Sequence, residues 1–393
     1  MKLAYSLPIF FLPFVLVTSF SQAYGADTEA GELSFQGGGT HVFSPTFRAE
    51  KAALVDALFA PWSRQGMPGA AVLVVKDGQV LHRKGYGFAN IKSKTPIGPS
   101  TSFLLGSTTK SFTALSVMML ADSEALNYGD SLLKFFPEFP SYARSITVRD
   151  LLHHTGGMAE YEDLFVCAGK VQDIRPRPIT SKPEPYEPTA RDALDLLSQQ
   201  KKLQFLPGEE FRYSNSGYMV LAQIVEKVSK QRFRDFVKKK IFEPLGMTHS
   251  LLYDETKPIV QNRASSYSWT NGKYENVDYT PLNSIYGEDG IYSTLADMVQ
   301  WVKAIDEKKL VKPRTWKQAF TSGQLNNGKY TGYGLGWFVA SNYLWHDGAF
   351  LGFRAYIAHH PGDRFNVVIL TNCKELNAPA LGADVASIYL NDD

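Results

Sequence analysis

Cysteine is almost absent: Cys167 and Cys373 are the only two in a chain of 393 residues. That excludes a disulfide-built scaffold and any paired-cysteine zinc site. The two lie far apart in sequence, so a Cys167–Cys373 bridge stays open. Charge of one sign is missing too, with 41 Lys and Arg against 39 Asp and Glu and a net charge of +2. Such a balance lacks the footprint of a nucleic-acid binder, and no nucleic-acid partner is expected. The one basic cluster, Lys230 to Lys240, alternates with Phe233, Phe236 and Val237 as a solvated helix face does. No H-E-x-x-H spacing occurs, and His153-His154 and His359-His360 are adjacent pairs whose members do not point the same way. Neither a metal nor a cofactor is expected. Internal repeats are absent.

Long apolar runs are missing with one exception. Leu7 to Val17, interrupted by Pro8 and Pro13, follows Lys2 and precedes Ala23-Tyr24-Gly25. It is too short to span a bilayer as a helix, and its flanks are those of a cleavable signal peptide. We expect a signal peptide over 1–25, a mature chain starting near Ala26, a periplasmic or secreted protein, and no integral membrane segment after cleavage.

The rest is ordinary globular material, 44% hydrophobic and 20% charged. Residues 26–45, with Gly37-Gly38-Gly39, read as a flexible lead-in, and 46–393 as one domain. Ala70–Lys76 and Gln79–Lys84 are strand-like and joined by Asp77-Gly78, a strong hairpin signal. Helical spacing covers Ser107–Ala121, Val148–His153, Ala190–Lys202, Gly217–Ser229 and Phe233–Phe242. Asp173 to Pro188 holds five prolines and must be irregular. Strands return at Tyr333–Val339, Arg354–Ala358 and Phe365–Leu370. The expected fold is α+β, with an antiparallel sheet built by both ends of the chain and flanked by helices. An α/β lobe (about 46–106 and 265–393) would carry an inserted helical lobe (about 107–264), with a site in the cleft between them.

Chemistry first shows at Ser107-Thr108-Thr109-Lys110, a hydroxyl one helical turn ahead of an amine. Phe112, Leu115 and Met119 follow at helical spacing, placing Ser107 near the first turn of a buried helix, where free backbone N–H groups suit an oxyanion. The pattern alone is weak, because Ser131–Lys134 and Ser198–Lys201 share it. Two downstream elements single out Ser107: Tyr213-Ser214-Asn215, within Pro207 to Tyr218, and His346-Asp347-Gly348. Each has a decoy. Tyr274-Glu275-Asn276 sits in a polar run that reads as a turn, and His154-Thr155-Gly156 precedes Tyr213 and breaks the order.

An S-x-x-K, Y-x-N and basic-x-Gly series in this order resembles the serine β-lactamase and DD-peptidase (penicillin-binding protein) superfamily, in its class C-like branch with family VIII esterases and D-aminopeptidases. The resemblance runs from about Gly66 to Asn372. Further markers are Ile146–Gly157, Glu243-Pro244-Leu245-Gly246-Met247, Gly290-Ile291-Tyr292-Ser293-Thr294 and Tyr333-Gly334-Leu335-Gly336-Trp337. It implies a β-lactamase/transpeptidase-like fold and a hydrolase forming an acyl-enzyme at Ser107, acting on an ester, a D-amino-acid peptide or a β-lactam. The alternative is a slow-turnover penicillin or muropeptide receptor that acylates without hydrolysing.

Lys110 and Tyr213 would share the serine proton. Both ordinarily titrate near or above 10, so one must be tuned, Lys110 by desolvation or Tyr213 by the charge of Lys110. Tyr213 is expected as base, with Lys110 as its electrostatic partner and Asn215 holding Lys110 and a substrate amide. The resemblance places the oxyanion hole at the N–H groups of Ser107 and Ala349, with Gly348 letting the strand approach. His346 stands where relatives carry lysine and is mostly neutral near pH 7, which weakens selection for a substrate carboxylate. Arg354 could supply the missing charge, although an exposed strand arginine is the plainer reading.

Overall fold

In a computed structural model, the structure describes residues 43–178 and 186–390. The signal peptide, nearly all of the lead-in and part of the proline-rich loop lie outside the described residues. Six antiparallel strands form the main sheet in the order Phe338–Val339, Leu344–Phe350, Phe353–His360, Phe365–Thr371, Ala70–Lys76, Gln79–Tyr86. The Ala70–Lys76 strand is apolar throughout except for Lys76 and is buried on both faces, between strands from opposite ends of the chain. Its turn, Asp77 (φ 48°) and Gly78 (φ 72°), has the left-handed pair that a two-residue hairpin needs.

One face of the sheet packs on helices Pro45–Phe59 and Ala378–Leu390, through Val55, Phe59, Val72, Tyr356, Val367 and Val385. The other faces the larger core, which includes helix Thr109–Asp122 and most of the helices of the middle of the chain. That helix has all but three of its 14 residues buried, and Phe112 stacks on Trp301 at 3.8 Å between centroids. A helix this enclosed needs its hydroxyls satisfied within the protein: Ser111 Oγ donates to the Thr108 carbonyl and Ser116 Oγ to that of Phe112 in the same stretch, and Thr113 Oγ1 to the distant Gly287 carbonyl.

Several expected elements differ. Only Phe338–Val339 of the run from Tyr333 is a strand, because Gly336 turns at φ 81° and lies against the backbone of Lys110 and Ser111. Tyr274-Glu275-Asn276 is not a turn; it belongs to a hairpin of Tyr267–Thr270 and Lys273–Asn276 whose turn is Asn271-Gly272. Helix Phe233–Val237 passes into a π-helical turn, Lys238–Phe242. Cys167 is exposed and Cys373 buried, and both are free thiols. Among the described residues no helix is long and apolar enough to cross a membrane.

Candidate active site

Ser107 is the one residue from Thr101 to Met118 that is not buried. It lies in a 3-10 turn, Gly106–Thr108, which runs into the helix beginning at Thr109. Close backbone packing shapes that turn. A β-carbon on Gly348 would fall 2.0 Å from the Leu105 carbonyl oxygen and 3.1 Å from Ser107 N, and one on Gly106 would fall 2.8 Å from Ala349 N. The Leu344–Phe350 strand thus lies directly on the Ser107 turn, and Ala349 is exposed beside it. Gly348→Ala should push the strand off that turn. We expect about a 100-fold loss of kcat, since about 1 Å of misplacement costs that much, checked with a chromogenic ester beside a thermal melt.

Lys110 is fully buried, and its Nζ donates to Ser107 Oγ (3.1 Å), Asn215 Oδ1 (2.8 Å) and the Glu288 carbonyl (3.1 Å). It also sits 4.8 Å from the centre of the Tyr213 ring. Burial drives its amine down to about 8 against the opposing pull of Glu288, Asp289, Glu162 and Glu160. Tyr213 Oη is buried without a hydrogen bond of good geometry. Burial holds its phenol well above 10, and the nearby Ser107 hydroxyl offsets this only in part.

Asn215 opens helix Asn215–Ser229, whose cap is Ser214 Oγ accepting from Gly217 N–H. Glu160 adds a carboxylate there, accepting from the N–H groups of Asn215 (2.9 Å) and Ser216 (3.1 Å). Asn215 Nδ2 donates to Glu162 (2.7 Å), so one of its two hydrogens is committed and one is left for a substrate. Burial raises Glu162 to about 8 and Glu288 to about 7, and it lifts Asp289 and Glu160 as well. Tyr161 O–H donates to Glu288 at 2.5 Å. This ring of carboxyls escaped sequence reasoning. Its signal was Glu288-Asp289 set between Gly287 and Gly290, just ahead of a buried strand.

His346 is buried and bridges two neighbours, Nδ1 to the Asp347 carbonyl at 2.6 Å and Nε2 to the Tyr333 hydroxyl at 3.0 Å. A carbonyl only accepts, so Nδ1 carries the proton and Nε2 accepts from Tyr333. Burial, with Lys110 nearby, pushes the imidazole down to about 3, so it is neutral. Arg354 is not an exposed strand arginine: its guanidinium is partly buried and donates through Nη1 to the Leu351 and Phe353 carbonyls. Its neighbours include Asp347 and Glu375. Ser131 and Ser198 are remote from this chemistry, the first capping a short helix and the second bonding the Asp195 carbonyl. His359 is buried against Asn366 and Asp306, and His153 against the Tyr333 carbonyl.

A family model described as Beta-lactamase matches residues 51–388. The chain is 26% identical to a penicillin-binding protein of Bacillus subtilis, over 84% of this chain and 73% of that one. It is 29% identical to a D-aminopeptidase of Gluconobacter oxydans, over 84% of this chain but only 60% of the relative. The fold superposes on a penicillin-binding protein homologue from Pyrococcus abyssi with a TM-score of 0.71 and 26% identity, covering 88% of this chain and 76% of the other. Since the family match takes in the Ser107 turn, the Tyr213 segment and the His346 strand together, the chain belongs to the beta-lactamase family, as a hydrolase of the serine β-lactamase and penicillin-binding protein superfamily.

Proposed function

We propose that the protein hydrolyses esters and amides through an acyl-enzyme at Ser107, and that its substrates are neutral or bear an amine rather than a carboxylate. The observation that carries this is Lys110, buried, 3.1 Å from Ser107 Oγ and with its amine lowered to about 8. An amine so placed takes the serine proton as Oγ bonds to the carbonyl carbon. Lys110 rather than Tyr213 is then the first base, which reverses the expected order, because burial keeps the phenol protonated. Tyr213 Oη, unpartnered beside Ser107, donates its proton to the departing alcohol or amine and recovers one from Lys110. The N–H groups of Ser107 and Ala349 would hold the oxyanion. Water then attacks the acyl carbon, and the acid leaves as Ser107 regains its proton.

Substrate charge follows from what surrounds the serine. Lys110 donates to three acceptors, His346 is neutral, and Arg354 is partly buried with Nη1 donating to backbone carbonyls. Near Ser107 a carboxylate would meet only cations already bonded to protein acceptors, whereas the carboxyls of Glu160, Glu162, Glu288 and Asp289 favour an incoming amine once they ionise. The Leu7–Val17 run supports action outside the cytoplasm.

A three-substrate panel tests the reading: p-nitrophenyl acetate, D-alanine p-nitroanilide and the carboxylate-bearing nitrocefin, each followed by intact mass. We expect turnover of the first two, little of nitrocefin, and a transient acyl mass on Ser107. Preference for nitrocefin would overturn the charge argument. An adduct stable for hours with no product would establish the receptor alternative.

A further inference from the structure

We propose that His154 is a positioning residue that fixes the Tyr213 hydroxyl over the reaction centre, an inference that rests on the acid role proposed for Tyr213. The two residues flanking Tyr213 both hang on His154. Its carbonyl accepts from Arg212 N–H at 3.0 Å, and its Nδ1 accepts from Ser214 N–H at 2.9 Å. Between those bonds the imidazole stacks on the Tyr213 ring, 4.3 Å between centroids and 28° between planes. One residue thus sets the height, tilt and backbone entry of the phenol, its carbonyl before Tyr213 and its imidazole beside and after it.

The imidazole cannot turn away. The Tyr333 ring meets it edge-on at 4.5 Å and the Tyr218 ring lies at 4.9 Å. Tyr218 is itself tied to the Leu152 carbonyl through its hydroxyl. His154 also sits at φ 60°, a backbone conformation uncommon for a residue with a side chain and one that persists only where surroundings impose it.

Mere filling of the core does not account for these features. An acceptor at Nδ1 places the ring proton on Nε2, and Nε2 is buried with no partner. An apolar side chain would fill the space without that unpaired donor, but it would leave Ser214 N–H unpaired instead. The arrangement gives up one hydrogen bond on the far side of the ring to keep the one that orients the Tyr213 segment. Burial and the neighbouring Lys110 hold the imidazole far below its usual range, so protonation does not remove the acceptor in ordinary buffers.

Leaving-group dependence gives a readout that simple loosening would not move. A p-nitrophenolate departs without a proton, whereas a phenolate or alkoxide needs one. The Tyr213→Phe variant, which lacks the acid, should hydrolyse p-nitrophenyl acetate well and phenyl acetate poorly. His154→Ala should share that pattern, with kcat on phenyl acetate down about 100-fold and KM little changed. The double variant should be no worse than Tyr213→Phe alone, since a misplaced hydroxyl cannot matter once it is gone. His154→Asn, which tolerates the left-handed backbone and offers Oδ1 where Nδ1 was, should recover part of the loss.

Equal losses on both esters in His154→Ala, or losses that multiply in the double variant, would make His154 a packing residue and overturn the inference. A Tyr213→Phe variant with unchanged leaving-group dependence would overturn the acid role of Tyr213, and this inference with it. If His154→Ala does not fold, His154→Asn alone and with Tyr213→Phe supplies the same comparison.

Discussion

Ser107→Ala should remove ester hydrolysis, with kcat falling by on the order of a million-fold if Ser107 and Lys110 act as a unit. The expectation is large because Oγ is the atom that bonds to the carbonyl, and neither Lys110 nor Tyr213 can reach that role from where it is held. Stability should hardly change. Ser107 is only partly buried and gives up one bond, and Lys110 keeps Asn215 and the Glu288 carbonyl, so about 1 kcal/mol is the scale. The other two S-x-x-K serines are the controls. Ser131→Ala should cost about 1 kcal/mol as a lost helix cap with activity intact, and Ser198→Ala should change neither. The measurements are initial rates on p-nitrophenyl acetate and thermal melts of all three variants. Retained activity in Ser107→Ala would sink the nucleophile assignment.

Lys110 carries the second large effect, and the choice of variant matters more than its size. If the amine is the base, Lys110→Arg should fail as badly as Lys110→Met, a loss of about 1,000-fold, because a guanidinium keeps its proton. If Lys110 only lends charge to Tyr213, Lys110→Arg should retain much of the rate. The wild-type pH profile makes the same distinction. A base must be neutral to act, and the Lys110 amine is lowered to about 8, so kcat/KM should climb with pH up to about 8 and then level. Glu162 and Glu288 lose protons over the same range, to about 8 and about 7, and anionic carboxylates hold the proton on Lys110 more firmly. The rise should therefore be broader than a single titration. A profile flat from pH 6 to 9 would exclude Lys110 as the rate-controlling base.

Much of this was legible before any coordinates. The three motifs in order named Ser107, Lys110, Tyr213, Asn215, His346, Gly348 and Ala349, and the structure sets them beside one another around Ser107 and Lys110. Order and spacing worked because each motif is short and local: i and i+3 on one turn, or a glycine where a strand must come close. The hidden part was the second layer around Lys110. Glu160, Glu162, Glu288 and Asp289 lie on two segments over a hundred residues apart, and no local pattern says that such acids are buried beside one amine. His154 was passed over because an H-x-G string out of order looks like a decoy. Its role comes from three aromatic rings and a backbone N–H that meet only in the folded chain. Tyr333–Val339 misled for the opposite reason. Its alternation reads as strand, yet Gly336 is needed for contact with helix Thr109–Asp122.

That contact, with the seating of Gly348 on the Leu105–Ser107 turn, has a consequence for the order of events in making the protein. The serine is synthesised early, but the backbone surfaces that pack on its turn and on the helix after it come from Gly348 and Gly336, more than two hundred residues later, and the centre of the sheet closes only when Phe365–Thr371 pairs with Ala70–Lys76. A chain still emerging from the ribosome holds Ser107 without either glycine surface beside it. Under the proposed acyl-enzyme reading, Ser107 therefore gains its reactivity only when synthesis is nearly complete.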